Sequence, residues 1–127
     1  MVDRQEYRLP HSGDAPALAR RLVEEHLSPL LPDDRADDLV LMTSEMAANA
    51  VQHSPPLPEG GHQLLLERNN GVIRVAITDG GRHLNPEETA FDTPTDGHFG
   101  LFILDRRADG WGFSLDGVKG VWFEVRL

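Results

Sequence analysis

The chain has no cysteine among its 127 residues. That excludes a disulfide framework, a thiolate metal site and a cysteine nucleophile, and it suits a reducing compartment. Long apolar runs are also missing. None approaches the roughly 20 residues that a helix needs to cross a bilayer, so no membrane association is expected. The first residues, Met1-Val2-Asp3-Arg4-Gln5-Glu6-Tyr7, are polar and lack the apolar stretch of a signal peptide. A soluble, cytoplasmic protein is the expectation. Basic charge is scarce: 12 Lys and Arg stand against 21 Asp and Glu, for a net charge of −9. Such a surface repels phosphate backbones, so no direct contact with nucleic acid is expected. There are no repeats and no low-complexity tract. The length fits one domain, residues 1–127, able to bury a core without a structural metal.

What is present reads as helices, then strands, with one late helix. Tyr7 to Leu9 predicts a short strand. Ser12 or Asp14 caps a helix to about His26, with Pro16 tolerated in its first turn and Leu18, Leu22 and Val23 as its buried stripe. Pro29 and Pro32 break the chain. A second helix runs from about Pro32 to His53, with Asp33, Asp34, Asp37 and Asp38 loading its early turns. Its apolar stripe is Ala36, Leu39, Val40, Thr43, Ala47, Ala50 and Val51. Gln63–Arg68 and Val72–Asp79 form strands joined by a tight turn at Asn69-Asn70-Gly71. Residues 80–99 make a long loop of the kind usually tied to function. A short helix from Leu101 to Arg107 begins right after Gly100. Trp111–Leu115 and Val121–Leu127 close the chain as a hairpin across Asp116-Gly117. The sum is α+β: a two-layer sandwich with a mixed, mainly antiparallel sheet and helices on one face.

Three short segments carry candidate chemistry. Glu45 and Asn49 lie four apart on the second helix, nearly opposite its apolar stripe, and His53 extends the row. A solvated face explains such a row. Against that, Asn is a poor interior helix former, and Met42, Met46 and Ala48 flank the pair as if the helix were covered on both sides. A carboxylate and a carboxamide in a partly covered site suit a hard cation such as Mg²⁺. Asp79-Gly80-Gly81 serves as an ordinary turn. It also offers a carboxylate to an exocyclic amine and a glycine beside which a flat base can approach the backbone. Gly97-His98-Phe99-Gly100-Leu101 leads into an apolar helix. Plain loop chemistry accounts for it, and so does a phosphate site built from helix-start N–H groups. It is neither a P-loop nor a Rossmann turn, since no Gly-Lys-Ser/Thr follows and no βαβ unit surrounds it.

In their order and spacing, Glu45-Met-Ala-Ala-Asn49-Ala-Val-Gln-His53, Val75-Ala-Ile-Thr-Asp79-Gly-Gly81 and Gly100-Leu101-Phe102-Ile103 resemble the N, G1 and G2 boxes of the GHKL superfamily. The resemblance spans roughly residues 10–127 and points to the anti-sigma factor/serine-protein kinase branch; the ending Gly120-Val-Trp-Phe-Glu124 looks like that branch too. It implies the Bergerat ATP-binding fold, with ATP and Mg²⁺ as cofactors. It implies that Glu45 is the general base and Asn49 the Mg²⁺ ligand. By the same resemblance Asp79 reads the adenine amino group, Gly81 lies beneath the base, and Gly97, His98, Phe99, Gly100 and Leu101 form the phosphate loop. His53 matches a position that is often His, and residues 83–99 correspond to the ATP lid. The implied partners are a sigma factor and a small STAS-type anti-anti-sigma protein, with a homodimer as the implied assembly.

The chain departs from that pattern twice. His98 stands where the first glycine of Gly-x-Gly-Leu is usual, with Gly97 one residue earlier. Gly120 stands where Thr often precedes Val-Trp-Phe-Glu, so a hydroxyl near the adenine is missing. Acidity does not oppose a bound nucleotide, which needs local donors and a cation rather than a basic surface. The expected activity is therefore Mg-ATP-dependent serine-protein kinase activity, and the competing reading is a non-catalytic module that uses ATP to hold a partner. The catalytic part of a histidine-kinase system is disfavoured, since none of His11, His26, His62 or His83 sits in a convincing phosphoacceptor helix. A histidine metal site is disfavoured because no pair has clear ligand spacing on one element.

Overall fold

The computed structural model describes residues 2–78, 99–115 and 118–127. Five strands and three helices follow one another as β1 (Val2–Leu9), α1 (Ala15–His26), α2 (Asp33–His53), β2 (His62–Asn69), β3 (Val72–Thr78), α3 (Phe99–Arg107), β4 (Gly110–Leu115) and β5 (Val118–Arg126), with a 3-10 turn at Ser28–Leu30 between α1 and α2. The strands lie in the order β1-β2-β3-β5-β4. All four described pairings are antiparallel, so the sheet is not mixed. The neighbours β1 and β2 run in opposite directions across the α1–α2 excursion, and β3 and β5 across α3 and β4, while the remaining pairs are adjacent in the chain.

Strand alternation decides which face is covered. Leu64, Leu66, Ile73, Val75, Ile77, Phe123 and Val125 point inward, and all are buried. They meet Ala15, Ala19 and Val23 of α1, Leu39, Met42, Met46, Ala47 and Ala50 of α2, and Leu104 of α3 in one connected core. The opposite face carries Arg4, Glu6, Glu67, Arg74 and Glu124. Arg74 bridges Glu67 at 3.3 Å and Glu124 at 3.0 Å, and Arg4 bridges Glu6 at 3.0 Å. That face is also where Leu65, Ala76 and Trp122 floor a hollow between the charged rows.

Local chemistry explains the joints. Asn70 and Gly71 have φ of 51° and 81°, the left-handed pair that a two-residue primed hairpin turn requires. At the start of α1, the Ser12 hydroxyl accepts from the Asp14 N–H at 3.3 Å, and the Ser12 carbonyl accepts from Ala15 N at 3.1 Å. Asp33 and Asp34 occupy the first turn of α2 and His53 its last, as the helix dipole favours.

Several expectations need correction. β1 is eight residues long, not three. It lies at the sheet edge with one side polar, so backbone pairing with β2 carries it without an apolar run. The fully buried residues of α1 are Ala15, Ala19 and Val23, while Leu18 and Leu22 are only partly covered. Where α1 and α2 pack together, small side chains take the contact line and the leucines fall to its flanks. α3 begins at Phe99 rather than after Gly100. The expected end of β3 at Asp79 and the Asp116-Gly117 turn lie outside the described residues.

Candidate functional site

α2 presents the first half of the site. Met42 and Met46 are fully buried and belong to the core, not to an outer flank. Asn49 follows Met46 by three residues and Met42 by seven, so it lies on the same buried side. The expected position nearly opposite the apolar stripe is therefore wrong for Asn49, which is 8% exposed. Val40 and Val51 are only partly buried, so the true stripe is rotated toward the methionines. Glu45 is half-buried and His53, the last residue of α2, is exposed.

The Asn49 carboxamide oxygen is the chemically telling atom. Oδ1 is buried and has no hydrogen-bond partner among the described residues. Leaving a buried acceptor unpaired costs about 1–3 kcal/mol, so its retention in a helix interior calls for an occupant that accepts its lone pair. A hard, oxygen-seeking cation fits that donor. Among the described residues no group of three or more His, Asp or Glu is clustered as a ready-made metal cage. A Mg²⁺ that keeps several waters and takes phosphate oxygens would need few protein ligands, and the Asn49 oxygen would be one of them.

α3 supplies the second half. Phe99, Gly100 and Leu101 form its first turn, where backbone N–H groups lack intrahelical acceptors. The helix packs on α2 through Leu104, which is fully buried. Asp79, Gly81, Gly97 and His98 lie outside the described residues. The structure thus brings Asn49 and the start of α3 to one pair of packed helices, with Glu45 a turn before Asn49.

Gly120 sits where two strands come close together. It pairs with Thr78 across β3 and β5 and lies on the open face of the sheet, beside Trp122 and away from Asn49. A Cβ there would run into the carbonyl oxygen of Ile77. A glycine at 120 answers to this close backbone approach.

Sequence reasoning also missed an ion-pair cluster at the far end of α3. Asp38 accepts from Arg107 at 2.6 Å and from Arg35 at 3.0 Å, and Arg35 reaches Asp109 at 3.0 Å. In the sequence Asp38 reads only as helix-start charge. No local signal pairs it with residues some 70 positions away.

Residues 10–117 match the family model of the histidine kinase-like ATPase domain, and the chain belongs to that family, within the GHKL superfamily. No curated protein matches it. GHKL ATPase domains bind ATP, usually with Mg²⁺. No helix among the described residues is long and apolar enough to cross a membrane.

Proposed function

We propose that this protein is a cytoplasmic ATP-dependent regulator: an anti-sigma factor that transfers the γ-phosphoryl group of ATP to a serine of a STAS-type anti-anti-sigma partner. The observation that carries the reading is the buried, unpaired Oδ1 of Asn49, one helical turn beyond Glu45. Phosphoryl transfer asks for positioning and charge neutralisation more than covalent chemistry from the protein. Asn49 would hold Mg²⁺, which when bound supplies positive charge against the triphosphate. Backbone N–H groups in the first turn of α3 favour phosphate oxygens. Glu45 accepts the proton of the attacking serine hydroxyl as the new P–O bond forms and the bond to the β-phosphate oxygen breaks. Asp79 and Gly81 are assigned to the adenine, and Gly97 and His98 to the phosphate loop.

The test is transfer of labelled γ-phosphate from Mg-ATP to the cognate partner. Glu45→Ala should abolish transfer and keep nucleotide binding, whereas Asn49→Ala should lose both. Transfer that survives Glu45→Ala would remove the base assignment. A second reading, a module that binds ATP only to hold its partner, is favoured by His98 standing at a glycine position of the phosphate loop. Tight Mg-ATP binding by wild type without transfer to partner or water would select it.

A further inference from the structure

We propose that Asp38 is a positioning residue for the nucleotide site, acting from the far end of α3. This inference rests on the assignment of the first turn of α3 to the phosphates. The two oxygens of Asp38 are used separately: Oδ1 accepts from Arg107 Nη1 at 2.6 Å, and Oδ2 from Arg35 Nη1 at 3.0 Å. Arg35 Nη1 also donates to the Arg107 carbonyl at 3.2 Å, and its Nη2 donates to Asp109 Oδ2 at 3.0 Å. That same Asp109 oxygen accepts from the Arg126 N–H at 2.7 Å, and the Asp109 N–H donates to the Glu124 carbonyl at 2.9 Å. The cluster therefore joins the early turns of α2, the last turn of α3 and the strand β5.

Three features make this more than a surface ion pair. First, the Asp38 side chain is only 19% exposed and faces two guanidinium groups, so it belongs to a network rather than to an isolated exposed pair of negligible worth. Second, Arg35 satisfies a carbonyl at the C-terminal end of α3, one of those a helix leaves without an internal partner. Third, the cluster holds the last turn of α3, whereas its other described anchors, Leu104 and Ile103 in the core and Asp105 bonded by Trp111 at 3.2 Å, lie nearer its middle. Of its described side chains Leu104 alone is fully buried, while Asp105, Arg106 and Arg107 are exposed.

Helix stiffness carries the effect along. At about 1.5 Å per residue, α3 extends about 12 Å from Arg107 back to Phe99, and α2 extends about 16 Å from Asp38 on to Asn49. α3 packs on α2 with its last turn pinned beside Asp38, and its length is about three quarters of the span from Asp38 to Asn49. Fixing its last turn restricts where its first turn lies. A loosened anchor leaves the sheet and core intact and raises the ordering cost that nucleotide binding must meet.

The experiment compares wild type with Asp38→Asn, which keeps shape and removes the charge, with Asp38→Glu as the conservative variant, and with Ile73→Val, a core change in β3 that lowers stability without touching the anchor. Mg-ATP affinity is measured by calorimetry, and amide hydrogen exchange over residues 99–107 is measured without nucleotide. Asp38→Asn should weaken Mg-ATP by about three- to thirtyfold and speed exchange across 99–107. Asp38→Glu should restore part of both, and Ile73→Val should do neither. Unchanged exchange at 99–107 in Asp38→Asn, or an equal loss of affinity in Ile73→Val, overturns the proposal. If wild type fails to bind Mg-ATP, the functional reading falls by itself. The exchange data then still decide whether Asp38 holds α3.

Discussion

Glu45 and Asn49 stand one turn apart on α2, yet of the two only Asn49 is buried, and its carboxamide oxygen has no partner among the described residues. The two residues therefore respond differently to replacement. Asn49→Leu removes the unpaired acceptor and keeps most of the volume, so the nucleotide-free protein should become more stable to urea by about 1 kcal/mol. The same change should eliminate the heat of Mg-ATP binding. A clear loss of stability with nucleotide binding retained would show that the oxygen is satisfied in solution and is not a metal ligand.

Gly120 tests the close approach of β5 to β3. Its Cα faces the Ile77 carbonyl with no room for a methyl group, so Gly120→Ala must push the central strands apart. The expected cost is about 1–3 kcal/mol by chemical denaturation. Because the position is on the open face, the affinity of the remaining folded protein for Mg-ATP should stay near that of wild type. A variant as stable as wild type would contradict the contact.

Gly71 isolates a backbone effect, since it is exposed and no neighbour would meet its Cβ. Its φ of 81° costs an L-residue about 1–2 kcal/mol. Gly71→Ala should lower stability by about that amount. Asn70→Gly, which keeps a left-handed turn available, should change it far less. Equal effects of the two would mean that the turn is not of the primed type.

Leu104 is the apolar pin of α3. Leu104→Ala should cost about 2–5 kcal/mol through the cavity it leaves. Thermal unfolding by calorimetry measures it, and a change within about 0.5 kcal/mol of wild type would place α3 off the core, as surface substitutions usually stay within that range.

Element type was legible wherever the signal is local. The Asn69-Asn70-Gly71 turn and the strands around Ile73, Val75 and Ile77 follow from turn chemistry and period-two alternation; α1 starts where Ser12 and Asp14 predict, but without a side-chain cap bond from Asp14. β1 was underestimated because a paired edge strand of Asp3, Arg4, Gln5 and Glu6 has no apolar signature. The site was half legible. Glu45 and Asn49 were found through their spacing, but the burial of Asn49 was not. A rotation of the helix stripe by less than one residue's angle changes which side is covered, and that rotation comes with Met42 and Met46 joining the buried core.

By itself, the sequence determined the succession of helices and strands, the hairpin between β2 and β3, and the ordered motifs from Glu45 to Gly100 that mark the family. Each depends on residues close together in the chain, or on motif order that needs no coordinates. Only the tertiary structure decided that Asn49 faces inward, that Gly120 is held against Ile77, and that Asp38 ties the end of α3. These depend on partners far along the chain, whose distances are set by packing the helices onto one face of the sheet.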